Sequence, residues 1–237
     1  MKKYLGVALL AITCASQAAT LDFRLSYDSV AKDYIGRIYV ANTWANGFGG
    51  SLEAPFTLTE NKFSGDVDVL RTGTTEVVAW WTKPLAPNLF IRPGLSTLVS
   101  SAGSTSRPFV TVGYKVNEFW DTSVRYRYGH RNYDTLDNAK KLNRDDAHNL
   151  TLWTGYKVSP GLTLEYQLDA IRKVNNYFND NRKKLIFENE FVALFPDAFG
   201  KGVTPYVLID HLGKTFNTPD KTEKTHWRPR VGLKIAF

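Results

Sequence analysis

From residue 20 onward, apolar and polar residues alternate with a period of two, in blocks of about ten residues. In the first block Leu21, Phe23, Leu25 and Tyr27 alternate with Asp22, Arg24, Ser26 and Asp28. The last block repeats the pattern: Trp227, Pro229, Val231, Leu233, Ile235 and Phe237 alternate with Arg228, Arg230, Gly232, Lys234 and Ala236. Between them the pattern predicts strands near 34–44, 48–58, 74–83, 89–99, 107–116, 120–131, 147–158, 162–173, 183–195 and 203–212. With the two end blocks that makes twelve, an even number that returns both termini to one side. No helix-period segment exceeds a few residues, and there is no linker, low-complexity stretch or second domain.

The connections alternate in length. Ala45-Asn46-Gly47, Pro84 to Asn88, Asn117-Glu118 and Ser159-Pro160-Gly161 read as tight turns, with Gly, Pro or Asn supplying the backbone geometry. Pro196 to Gly202 is somewhat longer on the same side. Most opposite connections are longer and polar, at 59–73, 132–146, 174–182 and 213–224, while 29–33 and 100–106 are shorter. Short turns at one end and longer loops at the other are the asymmetry of an outer-membrane barrel, with its periplasmic turns and extracellular loops.

Composition agrees with strands that meet lipid. Mean hydropathy is only −0.29, yet 14% of residues are aromatic. A barrel strand is apolar on one face alone, so averaged hydropathy hides it. Trp44, Trp81, Tyr114, Trp120, Tyr156, Phe195 and Phe237 all fall beside the short turns, where amphipathic rings would form an interfacial girdle. Aromatics in the core of a soluble sandwich would sit mid-strand instead. The expected architecture is therefore all-β: a transmembrane antiparallel β-barrel of 12 strands.

The first eighteen residues read differently. Lys2 and Lys3 precede an apolar run from Tyr4 to Ile12, and Ser16-Gln17-Ala18 fits a small-x-small cleavage site. Residues 1–18 are thus expected to be a signal peptide and residues 19–237 the outer-membrane β-barrel of a Gram-negative cell. The single cysteine, Cys14, lies in the leader, so no disulfide is available to hold the exported domain. A bilayer can do so. The chain also ends in Phe237 on the apolar face of its last strand, which resembles the signal read by the barrel-assembly machinery.

If the apolar face meets lipid, each polar partner in the alternation points into the lumen. The inward set then includes Arg24, Arg37, Arg92, Arg107, Arg125, Arg127, Arg131, Arg228 and Arg230, in a chain with formal net charge +7. The inward acids include Asp22, Glu53, Glu76, Asp169, Glu190 and Asp210. Arginines gather on the twelfth, first and second strands and again on the fifth to seventh. In a closed ring of twelve these are opposite walls, so two facing arginine tracks are expected, with acids between them. A planar guanidinium binds carboxylate bidentately and keeps its charge. A row of such sites can pass a polyanion along without trapping it.

The stretches "TWANGFGGSLE" (43–53), "TEVVAWW" (75–81), "IRPGLS" (91–96), "RPFVTVGY" (107–114), "VRYRY" (124–128) and "TPYVLID" (204–210) resemble the oligogalacturonate-specific porin family, with its KdgM-like and NanC-like channels. The likeness runs through essentially the whole mature chain. It implies a monomeric porin with a narrow basic lumen that passes acidic oligosaccharides, or sialic acid, by passive diffusion. Carried over residue by residue, the track would be Arg24, Arg37, Arg92, Arg107, Arg125, Arg127, Arg228 and Arg230. Val78, Ile186 and Leu208 depart from it, being apolar at inward positions; either the register slips there or the lumen is partly filled.

Other classes fit less well. Barrel enzymes need His with Ser or Asp near a rim, but His130 and His211 fall on the lipid-facing register. No local His–Ser pattern is present, and catalysis is not expected. Single-strand nucleic-acid binders put Arg and aromatic residues on one face; in "RYRYGHR" (125–131) strict alternation separates them. No phosphate loop, metal-ligand cluster or cofactor motif is visible, so no cofactor or metal is expected. The remaining partners would be the permeant and outer-membrane lipid.

Overall fold

The computed structural model describes residues 19–60, 67–100, 103–136, 142–174, 183–217 and 222–237. Fourteen strand segments follow one another: β1 (Thr20–Tyr27), β2 (Tyr34–Thr43), β3 (Phe48–Glu60), β4 (Val67–Thr72), β5 (Thr75–Trp81), β6 (Lys83–Ala86) and β7 (Leu89–Ser100), then β8 (Gly103–Lys115), β9 (Trp120–Leu136), β10 (Leu142–Ser159), β11 (Leu162–Lys173), β12 (Leu185–Leu194), β13 (Val203–Asn217) and β14 (Thr222–Ala236). Segments β4, β5 and β6 are successive stretches of one wall strand. Both β4 and β5 pair with β3, and β5 and β6 pair with β7. The break between β4 and β5 falls at Gly73, whose N–H reaches the carbonyl of Pro55, a residue with no N–H to return. The barrel therefore has twelve wall strands.

Every neighbour pairs antiparallel, and two contacts close the ring. β2 pairs with β3, and β1 pairs with β14 from Thr20↔Ala236 to Ser26↔Arg230. The seam is fastened at its end by reciprocal bonds, Ala19 N to Phe237 O and Phe237 N to Ala19 O, both 3.1 Å. Closure leaves no unpaired edge, which lipid would not tolerate.

The burial pattern is inverted relative to a protein folded in water. Ser96, Thr151, Asp22 and Asp210 are 2–3% exposed, while Phe187, Val231 and Leu150 are 50–54% exposed. All seven girdle residues are exposed beside the short turns. Their polar ends find partners there: Trp81 Nε1 donates to Asn46 O at 3.2 Å, and Trp120 Nε1 to Thr154 Oγ1 at 2.7 Å. Gly47 makes one turn possible. It has φ +85, and a Cβ there would stand 2.2 Å from the carbonyl oxygen of Thr82.

The strands run further than their apolar alternation suggests. The ladder continues through 131–136 and 142–146, into 213–217 and 222–226, and from Gly103, all stretches whose polarity reads as loop. β9 and β10 have 17 and 18 residues, against the roughly 9–11 that a bilayer requires. Beyond the lipid both faces of a strand meet water. The hydrophobic alternation lapses while backbone pairing persists.

Candidate functional site

The lumen is built from the polar half of each strand, and local pleat alone decides which residues enter it. A cavity of about 540 Å³ lies inside, bounded by Arg24, Arg37, Arg92, Arg125 and Arg127 together with Glu53, Glu76, Glu190, Trp80 and Phe109. Five of the nine expected arginines thus share one space. Arg107, Arg131, Arg228 and Arg230 are half-buried inward residues outside its lining.

The two sets of arginines differ in what surrounds them. On β1, β2 and β14 they are tied to carboxylates, directly or, for Arg24, through Tyr206. Arg37 Nη2 meets Asp22 Oδ2 at 3.1 Å, and its Nη1 meets Glu53 Oε2 at 2.9 Å. Arg230 pairs with Asp210 and lies 3.5 Å from Glu190, and Arg228 Nε stands 3.8 Å from Asp210. Arg24 Nε donates to Tyr206 Oη at 3.0 Å, and that hydroxyl donates to Asp22 Oδ1 at 2.8 Å. One network of alternating charge runs along this wall.

On β7, β8 and β9 the hydrogen-bond partners of Arg92 and Arg125 are hydroxyls, and Glu76 and Asp169 act only at longer range. Arg92 Nε donates to Thr82 Oγ1 at 2.8 Å, and Arg125 Nη2 to Thr151 Oγ1 at 3.3 Å. Among the described residues, no carboxylate forms an ion pair with Arg92, Arg107, Arg125 or Arg127. Arg107 reaches over Gly129, whose added Cβ would lie 3.7 Å from its Cγ. Four guanidinium groups thus gather on one wall with no ion pair among the described residues and only Glu76 and Asp169 acting at longer range, a ready site for incoming anions.

The apolar inward residues lie where the alternation puts them. Leu208 is 5% exposed and clusters with Val192, Leu194 and Tyr206. Val78 borders the cavity, and Ile186 faces Ile171 across β11 and β12. The register does not slip, and one part of the lumen is filled by a buried apolar cluster on β12 and β13. Periodicity could not foresee the role of Tyr206, because its partners Arg24, Asp22 and Gly232 lie on other strands. A Cβ at Gly232 would be 2.2 Å from the tyrosine ring.

Three of the four histidines sit on the outer register, while His226 on β14 meets Asp28 at 2.8 Å. His130 Nδ1 is 2.5 Å from Asp146 and His148 Nδ1 is 2.7 Å from Tyr126 Oη, on the outer side of β9 and β10. His211 packs on Trp227, with ring centroids 4.5 Å apart. Among the described residues no group of His, Cys, Asp or Glu is arranged to hold a metal ion, and no helix is long and apolar enough to cross a membrane.

A closed antiparallel barrel that is apolar outside, charged inside and girdled by aromatics is an outer-membrane channel. The chain belongs to a particular family of these: the model of the oligogalacturonate-specific porin protein (KdgM) matches residues 12–237. It is 30% identical over 243 residues to the N-acetylneuraminic acid outer membrane channel protein NanC of Escherichia coli (strain K12), covering 97% of each chain. The solved NanC porin superimposes with a TM-score of 0.79 at 26% identity, over 91% of this chain and 98% of that one. The solved KdgM porin has a TM-score of 0.65 at 20% identity, over 92% and 99%, and shares the fold.

Proposed function

We propose that this porin passes acidic oligosaccharides of the oligogalacturonate type by passive diffusion along Arg92, Arg125 and Arg127, with Arg24 and Arg37 on the facing wall. Arg107 and Arg131 extend the first track, and Arg228 and Arg230 the second. The carrying observation is the cluster of Arg92, Arg107, Arg125 and Arg127, with which no described carboxylate forms an ion pair. Fixed guanidinium groups in a confined lumen concentrate anions, and their forked geometry suits a uronate carboxylate. Membership of the oligogalacturonate-specific porin family supports oligogalacturonate. The NanC relative supports sialic acid as a second reading, with the same carboxylate chemistry. The protein would act as a monomer without catalysis, residues 1–18 would direct export, and Phe237 would be read by the assembly machinery.

Planar-bilayer conductance of purified protein tests this. Anion-selective channels whose current falls in steps on adding oligogalacturonate are expected. Cation selectivity would overturn the proposal.

A further inference from the structure

One row of the lumen carries something other than charge. Reading across β3, β5, β7, β8 and β9, the inward residues in register are Gly49, Trp80, Gly94, Phe109 and Arg127. Each aromatic ring leans over a glycine on the neighbouring strand. A Cβ at Gly49 would lie 2.3 Å from the Trp80 indole, and one at Gly94 would lie 2.3 Å from Phe109 Cζ. Since an inward Cβ points toward the lumen axis, rings occupying that place lie along the wall as a floor. The two glycines allow this, having no side chain to hold the rings upright.

Cations border this floor. Arg127 ends the row, and the next row, two residues along each strand, holds Arg92, Thr111 and Arg125 in register. That step is about 7 Å, within reach of an extended arginine. The Arg92 guanidinium already leans over Trp80, 5.9 Å from its ring centroid. Trp80, Phe109 and these three arginines all border the same cavity.

We propose that Trp80 and Phe109 form a stacking subsite for the apolar C–H face of a carboxylated pyranose, while Arg92, Arg125 and Arg127 take its carboxylate. A flat ring beside a guanidinium group matches a sugar acid, which has one apolar face and one charged substituent. A chain of bare charges would treat every carboxylate of similar size alike. This subsite separates cyclic from acyclic ones, so it sets specificity as well as charge. It rests on the permeation reading above.

The test compares galacturonate, a cyclic sugar acid, with gluconate, an acyclic one of equal charge. Their binding constants in the open channel come from concentration-dependent current noise in planar bilayers. In the unmodified protein galacturonate should bind about tenfold more tightly, the scale of one good aromatic contact. In Trp80→Leu and Phe109→Leu, which keep apolar bulk without the flat ring, the ratio should fall toward one. Equal constants in the unmodified protein, or an undiminished ratio in both variants, would overturn the subsite and leave the anion channel standing. A channel that neither compound perturbs would instead remove the permeation reading and the subsite with it.

Discussion

Arg24 on β1 and Tyr206 on β13 are 182 residues apart in sequence, yet Arg24 Nε donates to Tyr206 Oη at 3.0 Å. The same hydroxyl donates to Asp22, and the tyrosine ring fills the space that a side chain at Gly232 would need. Charge network and packing therefore meet at one residue beside the barrel seam.

Tyr206→Phe should lower the midpoint of urea unfolding by about 1–3 kcal/mol equivalent, since it leaves a half-buried Arg24 donor without its acceptor. Gly232→Ala should destabilise by a similar amount through overpacking. The two changes meet at one contact, so a cycle combining Gly232→Ala with Tyr206→Ala should be markedly non-additive. Additive effects would show that the ring does not depend on the glycine.

The two arginine walls should respond differently to truncation. Arg37→Ala leaves Asp22 and Glu53 without their cation, and a stability loss of about 1–3 kcal/mol is expected, between the values for exposed and buried pairs. Arg107→Ser and Arg127→Ser remove crowded like charges, so stability should hold or rise while anion selectivity falls. Thermal midpoints and reversal potentials in a salt gradient separate the outcomes.

Within β9, Arg125→Ser with Arg127→Ser should reduce anion selectivity without harming membrane insertion. Tyr126→Ser should do the reverse, because Tyr126 is 43% exposed on the lipid side and its hydroxyl meets His148. Folded yield in bilayers and reversal potential are the two readouts. Equal loss of selectivity from both changes would contradict the face assignment.

Asp28 lies in the connection between β1 and β2 and links it to β14. Burial pushes its carboxyl up, but the N–H groups of Ala31 and Val30 and the ring of His226 more than offset this, so it sits below the usual aspartate range. A depressed carboxylate contributes stability that is present above the unfolded value and lost as pH falls through the folded one. Protease resistance of this connection should therefore decline only in acid. In Asp28→Asn that acid-dependent step should be absent.

Much of the barrel was legible from the chain. The alternation around Arg125 and Tyr126, and the even number of strands, required no knowledge of tertiary contacts. Strand ends were less legible, as the tops of β9 and β10 show, because outside lipid no hydrophobic contrast marks a strand that is still paired. The candidate site was legible as a set of inward arginines. Their inequality was not, and neither was the floor made by Trp80 and Phe109, whose glycines lie on other strands.

Alternation along each strand is enough to assign every residue a side of the wall, because a pleated backbone turns alternate side chains to opposite faces whatever its neighbours. Which residues meet is a matter of the assembled barrel. Strand register and ring closure brought Asp22 and Glu53 to Arg37, Tyr206 to Arg24, and Gly94 under Phe109. Those meetings join strands distant in the chain, and local periodicity carries no information about such distances.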